Sequence, residues 1–277
     1  MKTEYARCGE LSIAWQEVGA GERDLLVIPG LVSHVEAFHE LPGYSRLLAR
    51  LGSFARVITF DKRGNGLSDR VVDEISFDAY VSDLETVVDA LGIDRFALLG
   101  VSQGCAVAIA YAVQHPKRVS HLILYGGFAQ GAKKRLRTAA QIEEDAALLT
   151  LMRVGWGKDN PAFRQLFTSQ FVPDATKEQA DWFNELQRIT VSADMAARMF
   201  ETALEIDVTA LLSQVCVPTL VMHARDDARV PFEAGRRMAA GIPRARFVAL
   251  DGRNHLFFES EPASRQFLEQ TRAFLAS

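Results

Sequence analysis

The sequence predicts a doubly wound α/β sheet interrupted by a helical insertion. Three observations lead there. Short apolar runs alternate with helix-length amphipathic segments, most runs stop at Gly, Pro or Asp, and the alternation lapses between residues 130 and 214. Unbroken Val/Ile/Leu runs suit central parallel strands covered on both faces. Their alternation with helices implies right-handed crossovers.

Taken in order, Leu11–Val18 alternates and ends at Gly19–Gly21, and Leu25–Ile28 is a continuous run stopped by Pro29–Gly30. No helix separates these two, so an antiparallel hairpin at one sheet edge is expected. Arg56–Phe60 leads to Asp61, Phe96–Leu99 to Gly100, and His121–Tyr125 to Gly126–Gly127. Thr219–His223 follows Pro218, and Arg246–Leu250 precedes Asp251–Gly252. The helical patterns are Tyr44–Leu51, Phe77–Leu91, Cys105–Gln114, Phe232–Ala240 and Pro262–Leu275, with Gly92 placed as a C-cap. The stretch 130–214 holds no convincing strand. It reads as several helices carrying Trp156, Phe163, Phe167, Phe171, Trp182, Phe183, Met195, Met199 and Phe200, a set that suits the core of a lid more than a pocket lining.

The chain has 277 residues, 48% hydrophobic and 24% charged, which fits one α/β domain with an insertion. A formal net charge of −4 argues against nucleic acid as the main partner. The one basic run, Lys133, Lys134, Arg135 and Arg137, is followed by Glu143, Glu144 and Asp145 and reads as a solvated helix face. Cys8, Cys105 and Cys216 are odd in number and sparse, which suggests a reducing compartment. Met1 to Trp15 holds no apolar signal-peptide core, and no run approaches the ~18 apolar residues of a membrane helix, so a cytoplasmic protein without membrane contact is expected.

Gly100-Val101-Ser102-Gln103-Gly104 is a G-x-S-x-G motif. Alone it is a weak signal; its context strengthens it. A strand runs into it and a helix of small residues, Cys105–Ala112, runs out. A serine on so sharp a turn sits in a strained conformation, and residues two before and two after must be small. The helix N-terminus favours negative charge developing there.

A serine needs a base to take its proton. The histidine should follow the last strand and the acid the strand before it. His255 stands in the loop after Arg246–Leu250, where packing gives a histidine little reason to be; His34, His39, His115, His121 and His223 are less apt. The acid lies in Asp226-Asp227-Ala228-Arg229-Val230-Pro231, where Asp227 has the Asp-x-x-Val-Pro spacing and Asp226 is the alternative. Oxyanion donors are expected from the Gln103 N–H and, after Pro29-Gly30, from the Leu31 N–H.

PGL at 29–31, FDKRGNGLSD at 60–69, GVSQG at 100–104, DDARVP at 226–231 and GRNH at 252–255 together resemble the α/β-hydrolase superfamily over essentially the whole chain. The resemblance implies a mostly parallel eight-stranded sheet. It also implies a core of residues 1–129 and 215–277, and a helical cap of 130–214 between the sixth and seventh strands. Pro29 replaces the His that many members carry before the oxyanion glycine, and Gln103–Gly104 departs from the Met-Gly or Trp-Gly of several perhydrolases and aminopeptidases. A Ser nucleophile disfavours dehalogenase and epoxide-hydrolase chemistry. The PGLVSHVEAF, FDKRGNGLSDR and GVSQGCAVAIAYA stretches look most like hydrolase domains fused to signalling output domains, although these 277 residues contain no stretch that reads as one.

Asp61, Arg63, Gly64 and Gly66 read first as a tight hydrogen-bonded loop. No dinucleotide fingerprint, Walker A sequence or metal-ligand spacing occurs, so neither cofactor nor metal is expected. The expectation is a serine hydrolase cleaving a small to medium, largely apolar carboxylic ester through Ser102, His255 and Asp227. Lactonase, C–C bond hydrolase and perhydrolase chemistry on the same triad are alternatives, as is a ligand-sensing protein of slow turnover. The partner is a small-molecule substrate; the oligomeric state, a homodimer included, is left open.

Overall fold

The computed structural model describes residues 2–135, 138–256 and 258–277. Arg137 of the basic run lies outside the described residues. The strands are β1 (Glu4–Cys8), β2 (Leu11–Val18), β3 (Asp24–Ile28), β4 (Arg56–Phe60), β5 (Phe96–Val101), β6 (Val119–Tyr125), β7 (Thr219–Ala224) and β8 (Arg246–Leu250). The helices are α1 (Pro42–Gly52), α2 (Phe77–Leu91), α3 (Gly104–Gln114), α4 (Ala139–Gly155), α5 (Ala162–Phe171), α6 (Lys177–Thr190), α7 (Ala193–Glu205), α8 (Phe232–Gly241) and α9 (Pro262–Leu275).

The eight strands form one sheet in the order β1-β2-β4-β3-β5-β6-β7-β8. β1 and β2 run antiparallel to their neighbours, and the remaining pairs are parallel. Alternate residues of the central strands enter two cores. Leu26, Ile28, Leu98, Leu122 and Leu124 pack on the face covered by α2, α3 and α8. Leu25, Val27, Leu99, Ile123 and Leu220 pack on the face covered by α1 and α9. This two-sided burial explains why these strands read as unbroken apolar runs. Ser76 caps α2 by accepting the Ala79 N–H, and Gly92 ends it at φ 62°, the left-handed value expected of it.

The expected hairpin of Leu11–Val18 with Leu25–Ile28 is not formed. β2 pairs instead with β1 and with β4, and β3 lies between β4 and β5. The glycine loop explains the difference. A Cβ on Gly19 would lie 2.2 Å from the Gly52 carbonyl oxygen, and one on Gly21 2.5 Å from the Ala55 nitrogen. The loop thus runs closely beneath the end of α1, carrying the chain past β4 into the sheet centre. β1 escaped the sequence reading because only Ala6 of its five residues is buried.

Because β3 and β5 are neighbours, the connections leave this pair in opposite directions. The crevice at their carboxyl ends is where doubly wound sheets place ligands. Pro29-Gly30-Leu31 and Ser102 both emerge there.

Helices α4 to α7 all fall between β6 and β7. The chain's exit and return are tied together: the Val208 N–H donates to the Ala129 carbonyl (2.8 Å), and Gln130 Nε2 to Asp207 Oδ2 (3.0 Å). Thr138 and Thr176 each form a capping box at the start of α4 and α6. Trp156, Phe167, Phe183, Met195, Met199 and Phe200 are buried, so most of the aromatic and methionine set is helix core, as its composition suggested. Inside it, Arg164 donates to the carbonyls of Asn184 and Trp156, and Thr168 to Asn184 Oδ1. The basic run is no plain helix face. Lys133 and Lys134 sit in a short 3-10 turn and pair with Glu205, while Arg135 lines a cavity with Glu144 and Asp145.

Candidate active site

Ser102 stands between β5 and α3 with φ at 54°, left-handed and strained for a residue with a Cβ. The flanking glycines permit this turn. A Cβ on Gly100 would lie 2.7 Å from Cys105 Cα, and one on Gly104 2.3 Å from the Ile28 carbonyl oxygen. Gly30 performs the same service for the neighbouring loop, since a Cβ there would stand 3.1 Å from Ser102 Cβ. Backbone at Gly30-Leu31 therefore approaches the serine closely.

His255 is fully buried, and its Nδ1 lies 2.8 Å from Asp227 Oδ2. The exposed Asp226 takes no part in this contact. Asp227 Oδ1 accepts the N–H groups of Arg229 (2.8 Å) and Val230 (2.9 Å). Burial pushes the Asp227 carboxyl up, but the charge and hydrogen bond of His255 and the Val230 N–H outweigh it and leave the group below the usual carboxylate range. An ionised Asp227 is acceptor-only, so His255 must carry a proton on Nδ1, and Nε2 is the ring nitrogen left for another partner. That Nε2 is buried and, among the described residues, makes no hydrogen bond. Ser102 and His255 line one small pocket together with Leu31 and Phe171. Ser102, Leu31, Gln103 and Phe171 also line a larger cavity of about 350 Å³ that reaches Phe200 and Arg229.

The sequence reading singled out neither the groups that hold His255 nor the one behind Asp227. The Tyr125 hydroxyl donates to the His255 carbonyl (2.9 Å), and the Phe171 carbonyl accepts the N–H groups of His255 (2.8 Å) and Leu256 (3.2 Å). His223 Nε2 lies 3.5 Å from Asp227 Oδ2 and 2.9 Å from the Val230 carbonyl oxygen. Burial lowers the His223 pKa, so it backs the carboxylate as a neutral ring. A Cβ on Gly235 would sit 2.5 Å from His223 Nδ1, which keeps α8 close at that point.

The 61–69 loop clasps the Leu31 loop from behind, as a tight hydrogen-bonded loop should. Asp61 Oδ2 accepts the N–H groups of Val35 (3.1 Å) and Leu67 (3.0 Å). Asn65 donates to the Leu31 carbonyl (3.2 Å) and accepts the Ser33 N–H (3.4 Å). Arg63 forms a buried pair with Asp83 at 2.8 Å. Lys62 is fully buried, donates to Gln103 Oε1 at 2.9 Å and lies 4.3 Å from the Tyr80 ring centre. Burial lowers its amine to about 7, against a smaller opposing pull from Asp83.

A family model described as the alpha/beta hydrolase fold matches residues 25–262. The chain belongs to the alpha/beta-hydrolase family. This hydrolase is 29% identical over 256 residues to a 2-hydroxy-6-oxononadienedioate/2-hydroxy-6-oxononatrienedioate hydrolase of Paraburkholderia phymatum, covering 86% of the chain and 82% of the relative. Its fold is similar to that of an esterase from Exiguobacterium antarcticum (TM-score 0.82, 24% identity, 99% of each chain). It is also similar to the enol-lactonase of Burkholderia xenovorans (TM-score 0.81, 19% identity, 99% of this chain and 100% of that one). Among the described residues, no group of His, Cys, Asp and Glu is arranged to hold a metal, and no helix of this hydrolase is long and apolar enough to cross a membrane.

Proposed function

We propose that this hydrolase cleaves carboxylic esters of small to medium size through Ser102, His255 and Asp227. One observation carries the reading. A buried imidazole, fixed by an ionised carboxylate at 2.8 Å, leaves an unpartnered Nε2 in the same pocket as a serine on a strained strand–helix turn. Ser102 Oγ attacks the ester carbonyl as His255 Nε2 takes its proton, while Asp227 stabilises the imidazolium. The N–H groups of Gln103 and Leu31 receive the oxyanion. His255 then gives its proton to the departing alkoxide. A water, deprotonated by the same nitrogen, attacks the acyl-enzyme and frees the acid. Catalytic hydrogen bonds of this kind commonly tighten only once substrate is bound.

Helices α4 to α7 act as a lid over this site. The three cysteines are unpaired, which supports a reducing, cytoplasmic setting.

A second reading, C–C bond hydrolysis, is favoured by the relatives named for 2-hydroxy-6-oxononadienedioate, which align along most of the chain. The same serine and base would serve it.

The test is hydrolysis of p-nitrophenyl esters from acetate to decanoate, with a vinylogous 1,5-diketone assayed in parallel. Turnover of the esters, lost by roughly 10³-fold or more in Ser102→Ala, supports the first reading. Turnover of the diketone alone supports the second. Equal rates in wild type and variant exclude Ser102 as the nucleophile.

A further inference from the structure

The larger cavity beside Ser102 combines apolar side chains, among them Leu148, Phe171 and Phe200, with two arginines, Arg135 and Arg229. Arg229 is partly buried there, with its guanidinium carbon 5.5 Å from the centre of the Phe171 ring and 5.0 Å from that of Phe200. Among the described residues its guanidinium makes one hydrogen bond, from Nη1 to Gln170 Oε1 at 3.1 Å, and has no carboxylate within ion-pairing distance, 4 Å. A guanidinium carries several N–H donors in a rigid fork and is not deprotonated in proteins. An arginine held between two rings, with most donors unspent and facing a catalytic cavity, is arranged to receive an anion.

We propose that Arg229 binds a carboxylate carried by the substrate, so that the preferred ester is the half-ester of a dicarboxylic acid or an ester of a hydroxy acid. This inference rests on Ser102 being the nucleophile. Arg229 follows Asp227 by two positions, and its own backbone N–H donates to Asp227 Oδ1, so the anion subsite and the triad acid share one turn. The turn fixes the distance between the recognised charge and the reacting carbonyl. Glu144 and Asp145 line the same cavity. Burial draws the guanidinium pKa down, and the charges of Asp145, Asp227 and Glu144 draw it back. With Arg135 and Arg229 set against Glu144 and Asp145, the formal charges lining the cavity balance, so a single carboxylate on Arg229 is a better match than a dianion such as a phosphate monoester.

Two substrate pairs test it: mono-p-nitrophenyl glutarate against p-nitrophenyl pentanoate, with the charge on the acyl side, and 4-acetoxybenzoate against phenyl acetate, with the charge on the alcohol side. The wild-type protein should prefer the charged member of one pair in kcat/KM. Arg229→Met, which keeps the stem packed on the rings, should lower that charged-to-neutral ratio by about 10–100-fold, the size of a lost charge-assisted hydrogen bond. Arg229→Lys should recover part of it. The ratio cancels any general damage to the neighbouring triad. No preference in either pair, or a ratio that Arg229→Met leaves unchanged, overturns the proposal. Calorimetric titration of glutarate into Ser102→Ala, with and without Arg229→Met, separates the two claims. Binding abolished by the second substitution supports the anion subsite whatever the serine does, and equal or absent binding in both contradicts it. Full esterase activity in Ser102→Ala would overturn the serine reading alone.

Discussion

The carbonyl of Phe171, the last residue of α5, accepts the backbone N–H of His255 at 2.8 Å. The proposed base is thus held from one side by the sheet, through Tyr125, and from the other by the helical insertion. Asn254 adds a second tie, its Oδ1 accepting the Asp174 N–H at 2.9 Å and its Nδ2 donating to Glu261 Oε1 at 2.9 Å. Any shift of the helical insertion must carry the His255 loop with it or break these bonds.

Asn254→Ala removes one tie while leaving the side chains of Ser102 and His255 in place. The expected result is a fall in kcat of roughly tenfold or more, because small displacements of a proton-transfer group are costly. The melting temperature should change little beside that loss. Steady-state kinetics with a p-nitrophenyl ester, set against a thermal melt, checks it; an unchanged kcat would show that the lid does not position His255.

The adjacent aspartates give a sharp comparison. Asp227→Asn should cost about 10⁴-fold in kcat, since an amide beside Nδ1 favours the wrong imidazole tautomer. Asp226→Asn, at an exposed position, should be close to wild type. Comparable losses in both would contradict the pairing of Asp227 with His255.

Asn65 supports the loop that supplies the Leu31 N–H. Asn65→Leu deletes its bonds to Leu31 and Ser33, and kcat should fall about 10-fold while KM moves by less, the signature of an interaction made chiefly in the transition state. A change in KM alone would assign the loop to substrate binding.

Lys62 ties stability to pH. Its amine titrates near 7 in the folded chain and at its ordinary value of 10.5 when exposed. Between those values the unfolded chain holds a proton that the folded chain lacks, so stability rises with pH across the window. The cost of burying the cation is fully present below about 7. Lys62→Met removes that cost. Its melting temperature, measured relative to wild type, should therefore be higher at pH 6 than at pH 9.5. A difference independent of pH would sink the assignment.

Much of this was legible in the chain itself. Ser102 and His255 could be singled out as candidates because each follows an apolar strand, a local pattern. Asp227 could be separated from Asp226 by its distance from Val230-Pro231. What could not be read was pairing across sequence distance. Nothing within Leu11–Val18 says that its partners are Glu4–Cys8 and Arg56–Phe60, and the backbone carbonyl of Phe171 leaves no side-chain signal. His223 looked like an ordinary strand-end residue, and its closeness to Asp227 depends on α8 passing over it at Gly235. Arg229 and Lys62 were visible as charges, but their burial was not.

The most direct test of the central claim is covalent. The phosphorus of diethyl p-nitrophenyl phosphate is attacked readily by a serine oxygen that a neighbouring base activates, with p-nitrophenolate departing, and intact-mass measurement followed by peptide mapping locates the adduct. The account predicts one diethylphosphoryl group per chain, on Ser102, formed far more slowly in His255→Ala and absent in Ser102→Ala. Labelling at another residue, or undiminished labelling of the Ser102→Ala protein, would contradict it.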